Sequence, residues 1–428
     1  MNTLIQNKIF NVLKKLLPKG MRKRLKSELK RRGYCVSNKI IVSAKSSGLS
    51  KVNINSNLMK VKATMVNDIN FMFPIEYIIH TGEGKAAVPH ISIWYPSFRA
   101  AYSTRTLILT RNQVAFDSIS LYLKKHDYPN MVVLCKSEKD VDELFRKCVG
   151  VKACFYPSNT GNNIHPLKQT GIKHVFIGHG DSDKSASAHK FFRVYDENWV
   201  AGDANIDRFS KITTNGLQFR KVGRPNMRDI LCGNTCSWSD RFSGKLNVLY
   251  LPTWEGVYNE QNYSSISLSG KISNIVNKLS VFSAKFHPMT GSRDPECLKC
   301  VSECSKDSNI FSADQPLSTF ISDYNVFICD ISAVVSECLS LNAPIFIYIP
   351  KDKKINLSES KMPYSHYCYV FHDEFELEEL LMRVVVNKDD YLSENREQAM
   401  EYILGRNATI GNAFNKLLES GRFEDVQY

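Results

Sequence analysis

The segment HVFIGHGDSDK, residues 174–184, passes from an apolar run directly into an imidazole, two carboxylates, a hydroxyl and an ammonium. Gly178 and Gly180 flank His179, which lets the backbone turn sharply and a ligand come close. An imidazole in that setting can take a proton from an attacking hydroxyl near neutral pH. Asp181 or Asp183 can orient it, and Lys184 can hold an anion. Ser182 and the two acids are also good caps for a helix over SASAHKFF, but capping does not account for a histidine between two glycines.

A second imidazole, His287 in KFHPM, ends another apolar run, with Lys285 two residues before it. Two imidazoles on opposite walls of a cleft suit transfer at phosphorus, one as base and the other as hydrogen-bond donor to phosphoryl oxygens. Thr253 and Trp254 follow the run LYLP. In CDISAVVSE, residues 329–337, Asp330 ends a strand and Ser332 opens a helix, where free backbone N–H groups favour phosphate. Glu337, five positions on, is placed for a ribose hydroxyl. Cys297, Cys300 and Cys304 fall at i, i+3 and i+7, a core stripe, whereas zinc takes four ligands in two tight pairs, so no metal site is assigned.

The elements that must carry these residues are legible in the alternation of apolar runs. Strands are expected at 75–81, 106–111, 131–135, 152–158, 174–178, 198–202 and 219–223. A second series falls at 247–254, 281–288, 309–314, 325–330, 344–350 and 368–373. Amphipathic stretches such as VAFDSISLYLKKHD and SEKDVDELFRKCV lie between them, so both sets read as parallel sheets covered by helices. The fold expected is α/β, two Rossmann-like domains in tandem, spanning 60–235 and 245–428, with the polar stretch 232–245 as linker. Ligands of such sheets sit beyond the carboxyl ends of the strands, which is where the candidate residues lie.

Charge is distributed unevenly. Of a net +13, residues 1–40 hold +11, with twelve Lys or Arg against Glu28 alone. Ile5, Ile9, Val12, Leu13, Leu16 and Leu17 recur at helical spacing among these bases, which makes a basic amphipathic segment suited to an anionic membrane surface. No aromatic residues interleave with the bases of residues 11–32, so nucleic acid is not expected as a partner. The chain has no run of about 18 uncharged apolar residues, so neither a membrane-spanning helix nor a signal peptide is expected. Its twelve cysteines suit a reducing compartment, so a cytoplasmic protein, peripheral on the inner face of the membrane, is expected.

Taken in order, HGDSDK, PTW, HP and the strand followed by DIS resemble the CDP-glycerol glycerophosphotransferases, which build teichoic acids and some capsule polymers. The resemblance covers residues 90–415 and implies a GT-B-like fold with the donor nucleotide on the second domain. It implies transfer of glycerol phosphate from CDP-glycerol to a hydroxyl of a lipid-linked or saccharide acceptor, with CMP released and no cofactor beyond that donor. His179 inherits the role of base with Asp181 and Asp183 beside it, and Lys184, Thr253, Trp254, His287, Asp330, Ser332 and Glu337 inherit donor contacts. In this chain Ala333 replaces a second serine, and Asn226 stands where the family has Arg, so that Arg224 or Arg228 substitutes for it. Another CDP-alditol or a nucleotide sugar as donor, and a membrane-bound scaffold with a decayed site, are the competing readings.

Overall fold

The computed structural model describes residues 74–102, 105–180, 189–209, 216–233, 245–259, 262–304, 308–313, 315–351, 353, 355, 357 and 360–420. The basic segment at 1–40, most of the linker at 232–245, and Asp181, Ser182, Asp183 and Lys184 lie outside the described residues.

Two all-parallel sheets form the frame. The first is ordered β3-β2-β1-β4-β5-β6-β7. Its strands are β1 (Tyr77–Thr81), β2 (Thr106–Thr110), β3 (Val132–Leu134), β4 (Ala153–Tyr156), β5 (Lys173–Phe176), β6 (Glu197–Val200) and β7 (Phe219–Lys221). The second is ordered β10-β9-β8-β11-β12-β13. It is made of β8 (Val248–Leu251), β9 (Phe282–Lys285), β10 (Asn309–Phe311), β11 (Val326–Asp330), β12 (Ile345–Tyr348) and β13 (Tyr369–Phe371). Each expected strand is present. In both sheets the strand order reverses after a central strand, between β1 and β4 and between β8 and β11, and such a switch point leaves a crevice at the carboxyl ends.

The strands form because their residues are apolar on both faces. All five residues of β1, β2 and β11 are buried, and at about 1.5–3 kcal/mol per fully buried large side chain this outweighs any other local preference. Helices cover the sheets. Helix α1 (Ala87–Tyr102) puts Ile91, Trp94, Tyr95 and Phe98 into the first core, and α2 (Gln113–Lys125) adds Phe116, Ile119 and Leu123. Helix α3 (Glu138–Lys147) begins on a reciprocal cap in which Ser137 Oγ accepts from the Asp140 amide and Asp140 Oδ2 from the Ser137 amide. Helix α4 (Glu296–Cys304) buries Cys297 and Cys304 and packs Cys300 against the second core, as the cysteine spacing indicates. The helix expected over 185–192 shows, in its described part, as the 3-10 segment Lys190–Val194, which His189 caps by accepting from the Phe191 amide.

After α5 (Val334–Leu339) and the rest of the second sheet, the chain crosses back. Helix α6 (Ala413–Ser420) sets Phe414, Leu417 and Leu418 into the first core, and Tyr77 Oη donates to the Leu418 carbonyl at 2.9 Å. The span 245–428 assigned to the second domain is therefore corrected: its last helix completes the first. An apolar stripe by itself does not say which sheet it covers, so this crossing was not legible beforehand. No helix among the described residues is long and apolar enough to cross a membrane.

Candidate functional site

His179 sits three residues beyond β5, on a turn fixed from two sides. Gly178 has φ +64°, where a side chain is disfavoured, and its carbonyl accepts from Trp94 Nε1 at 2.6 Å. His179 Nδ1 lies 2.8 Å from the Pro157 carbonyl. A carbonyl only accepts, so Nδ1 carries the proton and the lone pair is on Nε2. Gly180 serves a different purpose: a Cβ there would come within 2.5 Å of the Ala333 Cβ, so the His179 loop abuts the start of the β11–α5 segment.

His287 follows β9 and has the complementary tautomer. The Met289 amide donates to its Nδ1 at 3.1 Å, which leaves the proton of the neutral ring on Nε2. The Trp254 ring lies nearly parallel to it, at 18° and 6.1 Å between centroids. His179 and His287 line one cavity of about 410 Å³, within the usual range for a small-molecule site. Thr253, Trp254, Ser332 and Glu337 line it too, as does Lys285, whose ammonium donates to the Ala313 carbonyl at 2.9 Å. These residues converge from the ends of β8, β9 and β11, around the second switch point.

Three sequence assignments are corrected by the geometry. Asp330 is fully buried, and its Oδ2 accepts from the amides of Thr253 at 2.8 Å and Ser265 at 3.0 Å, so it holds the PTW loop and does not line the cavity. Ser332 lines the cavity but is no helix cap: its hydroxyl donates to the Asp330 carbonyl at 3.2 Å, and Ala333 precedes α5. Arg228 is exposed, with Nε 3.4 Å from the Ile410 carbonyl, and lies away from both site cavities. Asn226 itself reaches the main cavity. Arg224 is buried, its guanidinium 5.6 Å from the Trp94 ring, and lines a second cavity of about 260 Å³. His179 and Ala333 border both cavities.

Sequence reasoning missed two residues, His90 and Glu83. His90, in the first turn of α1, stacks on His179 with centroids 3.6 Å apart and planes at 16°. Burial, and then the charges of His179 and His287, push its pKa down to about 2, so it stays a neutral plate under His179. Glu83 follows β1 and lines the second cavity, and burial raises its pKa. The strand-end rule that found His179 would have found Glu83. Glu255, after β8, is buried, and its carboxylate accepts from the amides of Arg293 (2.8 Å), Asp294 (3.1 Å) and Gly291 (3.1 Å). Burial alone raises its pKa, but these backbone bonds outweigh that and leave it lowered, so the carboxylate anchors the loop that follows His287.

No protein-family model matches the chain, and no curated protein matches it in sequence. Among solved structures it is similar to the wall teichoic acid polymerase TagF, in a histidine-to-asparagine variant soaked with CDPG, at 10% identity and TM-score 0.55 over 83% of this chain and 91% of that one. A further TagF structure gives 13% identity and TM-score 0.53, over 82% and 90%. MnaA of S. aureus, solved with UDP, gives 8% identity and TM-score 0.55, over 82% and 99%. The likeness spans both sheets, and the chain has the GT-B fold that TagF and MnaA share.

Proposed function

We propose that the protein is a glycerophosphotransferase of cell-surface polymer synthesis. It would move glycerol phosphate from CDP-glycerol to a hydroxyl of a lipid-linked or saccharide acceptor and release CMP. The observation that carries this reading is the pair of opposed imidazoles in one cavity, with a lone pair on His179 Nε2 and a proton on His287 Nε2. His179 takes the proton of the acceptor hydroxyl as its oxygen bonds to the phosphorus bearing glycerol. The bond from that phosphorus to the CMP oxygen breaks, and His287 Nε2–H and Lys285 meet the charge on the phosphoryl oxygens. Trp254 offers a face to the base, and Glu337 an acceptor to the ribose. The soak of TagF with CDPG supports this choice of donor.

MnaA, solved with UDP on the same fold, favours a second reading in which a nucleotide sugar is the donor. CMP release from CDP-glycerol by the purified protein, with membrane extract as acceptor, separates the two. Release by the wild type and a fall of about 10²-fold or more in His179→Ala is expected. Release of UMP or UDP from a nucleotide sugar, with none of CMP, would overturn the donor assignment. The basic segment 1–40 is proposed to hold the protein on anionic membrane, and its removal is expected to weaken binding to anionic liposomes. Equal binding without it would sink that assignment.

A further inference from the structure

The proposed reaction uses His179 and His287 but leaves a third imidazole of the same cavity, His90, without a task. His90 stacks on His179 with 3.6 Å between centroids, so it stands at the end of the cavity where the base acts. Its Nδ1 is closed off and has no hydrogen-bond partner, whereas Nε2 is open. A buried N–H without an acceptor is rarer than a buried acceptor without a donor, so the lone pair belongs on Nδ1 and the proton on Nε2. The ring therefore presents an N–H to the cavity. Burial and the two facing imidazoles keep it from taking a second proton. So does the positive end of α1, in whose first turn His90 lies, and that end also favours an anion in front of it. A ring held neutral in this way donates without competing with His179 for the proton of the acceptor.

We infer that His90 is a further catalytic residue, its Nε2–H donating to a non-bridging oxygen of the phosphoryl group under transfer. The charge on that group is then met by two N–H donors, one from each half of the molecule: His90 on α1, which covers the first sheet, and His287 after β9 of the second. This inference rests on the transferase reading above. The contact it names, however, is to the second phosphate of a nucleoside diphosphate, whatever group lies beyond that phosphate.

The experiment is calorimetric titration of the full chain with CDP, UDP and CMP, in wild type, His90→Phe and His90→Gln. Phenylalanine keeps a ring against His179 but has no N–H, whereas the amide of glutamine reaches the position of Nε2. His90→Phe is expected to bind CDP about tenfold more weakly or worse, with CMP unchanged, and kcat for CMP release from CDP-glycerol should fall by at least as much. His90→Gln is expected to lie closer to wild type. His90→Asn, whose shorter amide stops at the position of Nδ1, should lose CDP as phenylalanine does and decides the matter if the phenylalanine variant does not fold. Equal binding of CDP by wild type and His90→Phe, or an equal loss of CDP and CMP, would reduce the ring to a support and overturn the inference. The expected pattern with UDP, and no binding of CDP, would sink the donor assignment and leave the role of His90 standing.

Discussion

His90 and His80 show how single residues set the acid limit of this protein. Burial is the first cause in both, and it holds His80 down to about 3 and His90 to about 2, against 6.5 for the ordinary side chain. Between these values and 6.5 the unfolded chain binds protons that the folded chain refuses. Stability therefore rises with pH up to about 6.5 and is lost as pH falls below it, by about 1.4 kcal/mol per pH unit for each histidine. His90→Asn is expected to remove one such contribution. Urea unfolding at pH 7, 6 and 5 checks it, and a slope unchanged by the substitution would refute the role. His179→Ala, by contrast, is expected to lower CMP release by about 10²-fold or more. The sequence showed His179 and His287 because each follows an apolar strand. It did not show His90, which reaches the site from a helix face, where a histidine at core spacing resembles any other. Nor could it show that Asp330 turns away from the cavity towards the PTW loop, because the last residue of a strand has two possible directions.

At the scale of elements, the site depends on close approach of two loops and on one anchored turn. A methyl at position 180 would collide with Ala333, so Gly180→Ala is expected to force the His179 loop from the β11–α5 segment. Overpacking of this kind costs about 1–3 kcal/mol and displaces the base. The expected outcome is a fall in kcat of at least tenfold, and Gly180→Ala with wild-type kcat would show that the contact gives way freely. Glu255→Gln keeps the shape but not the charge that three amides point to, so the loop after His287 should loosen. A rise in KM for the donor, with the melting temperature lowered by a few degrees, is the outcome to look for in steady-state kinetics and calorimetry. The strands themselves were legible because runs such as VFIC and IFIY are apolar on both faces, which only a covered parallel sheet accommodates. The loops between them were not, since their geometry comes from contacts such as Gly180 with Ala333 that join residues far apart in sequence.

At the scale of the whole molecule, Phe414 ties the last described helix to the core of the first sheet. Its ring lies 5.1 Å from Trp94, 5.2 Å from Phe98 and 5.5 Å from Trp199. Phe414→Ala is expected to cost about 3–5 kcal/mol, and denaturant unfolding followed by tryptophan fluorescence measures it. A loss below 1 kcal/mol would mean that the first core holds without the final helix. The two sheets could be read from the sequence separately, but the crossing of α6 could not, because its stripe of Phe414, Leu417 and Leu418 would suit either one.

That crossing also sets an order of events during synthesis. All strands of the first sheet have been made by Lys221, yet the helix that covers Trp94, Phe98 and Trp199 ends at Ser420. At about 5–20 residues per second, the ribosome takes roughly 10 to 40 s to supply it. Throughout that interval the first core lacks the helix that closes its aromatic face. A stop codon just before α6 would release a product that had made both sheets and finished only one.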